Sequence, residues 1–364
     1  MSTGPFNRRQ ALAGLGSLLA APQLLRGQQA PRLVGEPPGR IAPHGELVNT
    51  FEFEAMAERK LDSATFAAIA GSDRKAFDRI TLDQRLMVST IGLDLSTDLF
   101  GDTLFSPILV GPTSHQKRYH PEGELAMARG ASAGKAAMVV AGRSSYRIDE
   151  IAAQAHTPLW YQVYPGPDAA ATAASVKQAV SAGCKAVCIT VGTPYQAGGA
   201  GAPSLSQLPL MGNPGLDWAY IDRLRQGITV PVLLKGIMSP GEAQTAVERG
   251  VQGIVVSNHG GRFVTGLAQP ISVLPAIADA VGQKIPILID GGFRRGSDIL
   301  KALALGARAV LLGRPALWGL AAYGADGVQA VIELLQTNLA GDMTMIGAPN
   351  LKAITRDMVR IHRR

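Results

Sequence analysis

The chain has 364 residues, of which 46% are hydrophobic and 17% charged, and its net charge is +7. This much apolar material excludes a largely disordered chain, and the 42 Gly and 23 Pro residues favour a compact fold over coiled coils or long charged helices. Residues 1–30 contain three Arg and no acid, which leaves 32 basic and 28 acidic residues in the remainder. That balance is too even to indicate a nucleic-acid partner.

The first 30 residues carry a candidate export signal. Arg8 and Arg9 precede an apolar run of about a dozen residues, which is too short to span a bilayer. An Arg pair before a glycine-containing apolar run resembles the twin-arginine signals of bacteria, so we expect a periplasmic or otherwise exported protein. An ordinary basic start or a general secretion signal is the alternative. Because the twin-arginine route carries folded proteins, it suits a protein that acquires a cofactor before export.

The rest of the chain is predicted to be a linker at residues 31–45, rich in Pro and Gly, followed by one domain at residues 46–364. No apolar stretch in that domain approaches the length of about 18 uninterrupted residues that a membrane helix needs, so we expect no stable membrane span.

Eight short apolar runs follow the linker, and each ends in Gly, Pro or a polar residue. They are nearly continuous in Val, Ile and Leu, which is typical of parallel strands covered on both faces. Helix-like stretches separate them, so strand and helix alternate. Eight such units predict an α/β fold of the (β/α)8 TIM barrel type; an open doubly wound sheet, the alternative, lacks a Gly-x-Gly-x-x-Gly turn after the first strand. The runs are 106–110, 136–141, 159–164, 186–191, 230–235, 253–257, 285–290 and 309–313.

The chain has two cysteines and six histidines, and neither set indicates a metal site. Cys184 and Cys188 are predicted to be buried thiols on one strand face, too far apart for an easy disulfide. The histidines show no ligand spacing, and no Cys–His cluster accompanies them, so no metal is expected.

The ends of predicted strands seven and eight indicate a phosphate site. In a TIM barrel the chemistry lies at the C-terminal ends of the strands. Strand seven is followed by Asp290, Gly292 and Arg294, and strand eight by Gly313 and Arg314. Glycine amides permit close approach of a phosphate, and an adjacent Arg supplies a planar charged fork. Ordinary turn glycines with solvent-facing arginines are the alternative.

Three further strand-end residues carry chemistry. Lys235 ends a very apolar run, so its ammonium is predicted to reach the barrel mouth, where it forms a Schiff base with a carbonyl substrate or holds negative charge on a cofactor. His259 is placed for proton transfer and Arg262 for binding a carboxylate. A histidine that merely satisfies a loop hydrogen bond is the alternative for His259.

Taken together, the motifs resemble the FMN-dependent enzymes that oxidise 2-hydroxy acids, a family that includes glycolate oxidase, lactate oxidase and mandelate dehydrogenase. The resemblance covers about residues 50–360, and its most specific part is the run Ser-Asn-His-Gly-Gly-Arg at residues 257–262. The segments that carry it are 106–113, 120–124, 161–164, 234–236, 257–262, 290–296 and 302–307.

The resemblance implies FMN as the cofactor and a role for each matching residue. His259 would accept the substrate's hydroxyl proton while a hydride passes to flavin N5, or would take the α-proton in a carbanion route; both remain open. Lys235 would stabilise the reduced flavin, and Tyr164 is the third predicted catalytic residue. Arg262 would bind substrate. The predicted FMN contacts are Pro112, Thr113, Ser114, Gln162, Thr190, Lys235, Ser257, Asp290, Gly292, Arg294, Gly313 and Arg314.

Three features of the family are missing on the substrate side. The fourth strand ends Thr-Val-Gly192-Thr-Pro where the family has Asp, so His259 is expected to lack its carboxylate partner and to have a lower pKa. The sequence Tyr-Gln-Ala-Gly-Gly-Ala at 195–200 replaces a cationic Gly-Arg-Arg. Ala68 or a neighbour stands where a substrate-binding Tyr would be. Arg143, at the end of strand two, is a candidate replacement anchor, or else faces solvent or another subunit. Residues 192–215 are predicted to be a mobile lid.

We therefore expect an exported flavoenzyme that oxidises a lactate-, glycolate- or mandelate-like 2-hydroxy acid. Oxygen, a quinone or a cytochrome would accept the electrons, and the resemblance suggests a homotetramer or larger assembly. A second interpretation keeps FMN but assigns altered or lost hydroxy-acid activity, with another alcohol or amine substrate or a binding role, because of Gly192. A third is a barrel lyase or aldolase that uses Lys235 as a Schiff-base nucleophile.

Overall fold

A computed structural model describes residues 39–71, 74–166, 168–192, 216–261 and 266–362. Ala42–Arg364 form one compact unit, which contains all of the elements below. The predicted export signal, most of the predicted linker and lid, and Arg262 lie outside the described residues. Export and the lid therefore stay predictions.

Eight parallel strands close into a barrel, which confirms the predicted TIM fold. Each strand lies within two residues of an apolar run named above, and nearly all strand residues are buried, as expected for strands covered on both faces. In chain order the strands are β1 (Ile108–Val110), β2 (Met138–Ala141), β3 (Leu159–Val163), β4 (Val187–Thr190), β5 (Val232–Ile237), β6 (Gly253–Val256), β7 (Ile287–Asp290) and β8 (Ala309–Leu312).

Helices alternate with the strands and surround the barrel. Several begin at a side chain that accepts a hydrogen bond from an unpaired backbone amide of the first turn, as Asp168, Asp217 and Ser239 do. The helices of the described chain are α1 (Thr50–Lys60), α2 (Ser63–Ala67), α3 (Gly123–Ala133), α4 (Ile148–Ala152), α5 (Ala169–Ser181), α6 (Trp218–Arg225), α7 (Pro240–Glu248), α8 (Pro270–Val281), α9 (Gly296–Ala304) and α10 (Arg314–Met345), the last broken at Gly324.

A short hairpin closes the N-terminal end of the barrel. Its strands, Thr97–Leu99 and Asp102–Leu104, are antiparallel, and Leu99 and Leu104 share one buried cluster with the side chains inside the barrel. Phe100, in the turn, packs edge-on against Trp160 near the start of β3, with 5.4 Å between ring centroids. The opposite, C-terminal end is therefore the mouth at which polar side chains collect.

Cys184 and Cys188 are buried free thiols, as predicted, and burial raises the pKa of each to about 12. The prediction that they share one strand face is wrong. Cys184 precedes β4 and packs in the layer between strands and helices, whereas Cys188 lies inside the barrel. No helix in the described part of the chain is both long and apolar enough to cross a membrane.

Candidate active site

Lys235 is the centre of a buried polar cluster at the barrel mouth. Its Nζ atom donates to Ser257 Oγ at 2.9 Å and lies 2.7 Å from Asp290 Oδ2. These residues come from β5, β7 and the end of β6, as the strand-end argument predicts. Only 6% of Lys235 is exposed, so its charge is shielded little by water and is compensated by the Asp290 carboxylate.

His259 lies in a left-handed turn after β6. Its φ is +55°, and those of Gly260 and Gly261 are +73° and +74°. A non-glycine residue pays for this conformation, but the two glycines adopt it freely, which explains the His-Gly-Gly sequence. The amide of His259 donates to Ser257 Oγ at 3.2 Å, so the same hydroxyl contacts two of the three predicted catalytic residues, His259 and Lys235.

The ring of His259 is held by a main-chain carbonyl. Its Nε2 atom lies 3.0 Å from the oxygen of Val191, the residue before Gly192. Burial and the Lys235 ammonium lower the pKa of His259 to about 4, although Asp290 and the Val191 carbonyl oppose the shift. The lowered pKa agrees with the expectation from Gly192, and burial is its largest cause.

Gln162 and Thr113 lie on the side of the mouth formed by β1 to β4. Gln162 Nε2 donates to Thr190 Oγ1 at 2.7 Å, and both side chains are buried. The side chain of Gln116 donates to Thr113 Oγ1 at 2.9 Å, which positions the loop after β1. Pro112 and Ser114, half-buried, flank Thr113 in this loop.

Arg294 and Arg314, which follow β7 and β8, come together at the mouth. Arg294 and Arg314 both donate to the carbonyl of Gly71, and Arg294 also stacks on Trp318 at 4.3 Å from the ring centroid. Burial and the charge of Arg314 lower the pKa of Arg294 to about 9. Two guanidinium groups brought together in this way favour an anion between or beside them.

Arg74 is a site residue that the sequence analysis missed. It donates to the carbonyl of Gly292 and makes two hydrogen bonds, of 2.7 and 3.0 Å, to Asp298. Asp298 in turn accepts from the amides of Arg294 and Arg295 at the start of α9. Arg74 therefore fixes the Gly292 loop, and the signal that could have found it is the buried acid in the first turn of α9.

Arg143 and Tyr164 form the rim of the mouth beside β2 and β3. The guanidinium carbon of Arg143 lies 5.0 Å from the centre of the Tyr164 ring. A groove of about 330 Å³ extends from this pair between β3 and α5. Ala68 is the C-cap residue after α2, close to the Ala70 and Gly71 carbonyls that Arg314 contacts. The predicted position of the missing Tyr is thus at the site.

Comparisons with known proteins identify the family. A family model described as FMN-dependent dehydrogenase matches residues 50–200 and 197–361. The chain is 36% identical to a peroxisomal (S)-2-hydroxyacid oxidase of Arabidopsis thaliana, over 86% of this chain and 97% of that protein. It is also 36% identical to an L-lactate oxidase of Nostoc sp., over 86% of this chain and 98% of that protein.

Solved structures give the same result. A crystal structure of mandelate oxidase superposes with a TM-score of 0.80 at 34% identity, covering 86% of this chain and 98% of that one. A flavocytochrome b2 variant superposes with a TM-score of 0.82 at 30% identity, covering 88% of each chain.

Proposed function

The chain belongs to the FMN-dependent dehydrogenase family, and from that premise we propose that it oxidises a small 2-hydroxy acid to the 2-oxo acid. It is an FMN-dependent oxidoreductase of the hydroxyacid oxidase and dehydrogenase type. The observation that carries the substrate class is the cluster of Lys235, Ser257, His259 and Asp290 at the barrel mouth, because it combines a fixed cation with a histidine that is neutral at physiological pH.

The residues at the mouth fit FMN. The converging Arg294 and Arg314 and the loops at Gly292 and Gly313 suit a phosphate. In the described part of the chain, an added Cβ at Gly313 would meet only Thr113, at 4.0 Å, which leaves space for a group beside this amide. The Oδ1 atom of Asp290 is buried and has no hydrogen-bond partner in the described chain. A hydroxyl group of the cofactor would donate to it.

Residues at or after the C-terminal ends of β1, β3, β4, β5 and β6 would hold the flavin ring. In this proposal the residues that contact the ring are Pro112, Thr113, Ser114, Gln162, Thr190, Lys235 and Ser257. When bound, FMN supplies the acceptor for the two electrons that leave the substrate.

His259 is proposed as the base. Oxidation of an alcohol to a ketone removes two electrons and two protons, and His259 takes a proton that does not leave with the electrons. Its depressed pKa keeps the ring unprotonated and ready to accept. The Val191 carbonyl orients the ring and stabilises the protonated form as a dipole, which is weaker than a carboxylate would be.

Lys235 is proposed to stabilise the negative charge that develops at the cofactor as the electrons arrive. The contacts with Asp290 and Ser257 hold its ammonium in place before the reaction, so no reorganisation is needed. The same contacts argue against a Schiff-base role, which requires an uncharged amine. Tyr164 and Arg262 are proposed to bind the substrate's hydroxyl and carboxylate groups.

We further propose oxygen as the electron acceptor, a homotetramer or larger assembly, and export to the periplasm. The relatives named as oxidases favour oxygen over a quinone or a cytochrome. The Arg8–Arg9 signal supports export to the periplasm, and the family resemblance supports a homotetramer or larger assembly.

The function is tested by the absorbance of the purified protein near about 450 nm, where bound oxidised flavin absorbs, during anaerobic addition of lactate, glycolate, mandelate and hydroxysuccinate. Bleaching by one of these acids is the expected result. A yellow protein that no 2-hydroxy acid bleaches would overturn the substrate class and favour the altered-activity interpretation based on Gly192.

A further inference from the structure

We propose that the substrate carries a second anionic group, remote from the carbon that is oxidised, and that Arg143 binds it. This inference rests on the proposed function and narrows its substrate class to 2-hydroxy dicarboxylic acids. It follows from the position of Arg143, from the way its loop is held, and from its contact with Tyr164.

The chain places Arg143 at the mouth with little freedom. It comes two residues after the end of β2, and Gly142 before it has no room for a side chain, since an added Cβ would lie 2.8 Å from the Gln162 carbonyl oxygen and 3.2 Å from the Tyr161 hydroxyl. The backbone therefore passes directly against β3. The first long side chain that β2 can present to the mouth is that of Arg143.

The loop that carries Arg143 is anchored on both sides. The carbonyl of Arg143 accepts from the His115 amide at 3.0 Å, and Ser144 Oγ donates to the Ala141 carbonyl at 2.6 Å. The Ser145 amide donates to the buried Glu124 carboxylate at 3.0 Å, as does the Gln116 amide. The loops after β1 and β2 are thus both hydrogen-bonded to the Glu124 carboxylate. A side chain on a loop held in this way is positioned before the substrate binds.

Tyr164 directs Arg143 toward the mouth. Tyr161 and Val163 belong to the core between barrel and helices, whereas the intervening Gln162 points inward to Thr190. Because strand side chains alternate, Tyr164 lies on the inward side with Gln162. The guanidinium lies over its ring at 5.0 Å, and both residues are half-buried.

This arrangement suits a carboxylate. An Arg that stacks on a ring keeps its N–H groups in the guanidinium plane, where two of them can bind both oxygens of one carboxylate. Arg143 supplies the positive charge on the β2–β3 side of the mouth.

A groove of about 330 Å³ begins at Arg143 and Tyr164 and runs outward between β3 and α5. The remote carboxylate would lie at its inner end, beside the guanidinium. The groove also contains Asp168, whose carboxylate accepts from the Ala170 and Ala171 amides at the start of α5 and is thereby partly neutralised.

The test compares hydroxysuccinate with 2-hydroxysuccinamate, in which an amide of the same shape replaces the remote carboxylate. The FMN-loaded native protein is expected to prefer the dicarboxylate in kcat/KM by about 10-fold or more. Arg143→Met is expected to lower kcat/KM for hydroxysuccinate by about 10- to 100-fold and that for the amide by less than about 3-fold.

Lys117→Met is the matched control, because Lys117 is another cation of the same rim and lies 3.9 Å from the centre of the Tyr146 ring. It is expected to leave the preference within about 2-fold. A native protein without preference, an Arg143→Met variant that keeps it, or an equal loss in Lys117→Met would each overturn the proposal.

A binding measurement separates this inference from the proposed function. Succinate and succinamate lack the hydroxyl group and are not oxidised, so calorimetry reports their affinity without turnover. Tighter binding of succinate that Arg143→Met abolishes supports the anionic subsite even if no hydroxy acid bleaches the flavin. Equal affinities in the native protein overturn the subsite even if lactate is oxidised.

Discussion

The Nε2 atom of His259 lies 3.0 Å from the carbonyl oxygen of Val191, so a backbone dipole stands where the family resemblance anticipates a carboxylate. Gly192 follows immediately, with φ at +73°, and among the residues that the structure describes an added Cβ would meet only the Gly236 carbonyl, at 3.5 Å. There is consequently room for a side chain beside the histidine, at the cost of a left-handed backbone that Asp and Asn tolerate better than most residues.

Gly192→Asp should raise the pKa of His259. A carboxylate near the ring favours the imidazolium, and the expected rise is about 1 to 3 pKa units. The acid limb of the pH profile of kcat/KM should move upward accordingly. Gly192→Asn has a similar shape and strain without the charge, so it should leave the limb in place. An equal shift in both variants would mean that backbone strain, and not charge, sets the pKa.

The native enzyme should keep its activity in mildly acidic solution. Because the pKa of His259 is lowered to about 4, the base stays unprotonated down to that region, and kcat/KM should fall only below about pH 5. Rate measurements across a pH series check this. An acid limb near the ordinary histidine pKa of about 6.5 would contradict the burial argument.

The same shift should make folding stability depend on pH. The folded pKa lies below the unfolded one, so the unfolded chain binds the proton first, and stability should be lost as the pH falls from about 6.5 towards 4. His259→Gln should flatten this dependence of Tm, whereas His156→Gln, at an exposed position, should not. Identical slopes for the two variants would place the proton uptake elsewhere.

Lys235→Met should destabilise the fold as well as abolish turnover. It leaves the half-buried Asp290 carboxylate without its cation, and breaking a largely buried ion pair in this way costs about 3 to 5 kcal/mol. Lys235→Met with Asp290→Asn removes both charges and should recover most of that loss, yet stay inactive. Denaturant unfolding measures the stabilities. No recovery in the double variant would show that the packing of Lys235, and not its pairing, stabilises the site.

Arg314→Gln should weaken binding of FMN but not of riboflavin. The two arginines that converge on Gly71 are assigned to the phosphate, which riboflavin lacks. Fluorescence titration of the flavin-free protein should show an FMN Kd about 10-fold or more higher, the usual effect of losing a charge-assisted hydrogen bond. Arg85→Gln is the control, since its pair with Asp357 is exposed. Equal weakening of both flavins would assign Arg314 a role in shaping the ring site.

Strands were the most predictable part of this molecule, because buried parallel strands are continuous in apolar residues and each run is punctuated by Gly, Pro or a polar group. Lys235, Asp290 and Ser257 were predictable for the same reason, as residues that end strands meeting at one mouth. The Val191 carbonyl was not, since a main-chain group has no identity in the sequence. Nor was Arg74 predictable, because it lies in a loop without a recognisable sequence motif and its partner Asp298 is 224 residues away along the chain.

The hairpin closes the N-terminal end of the barrel, where Phe100 packs against Trp160. The two ends of the barrel therefore differ in how well they tolerate mutation. Truncating Trp160, which is 1% exposed, should cost about 3 to 5 kcal/mol without touching the chemistry. At the other end, Gly192, Ala68 and Arg143 differ from the family pattern while the eight strands persist. Substitutions at the mouth can therefore change the substrate specificity while the packing at the closed end continues to stabilise the fold.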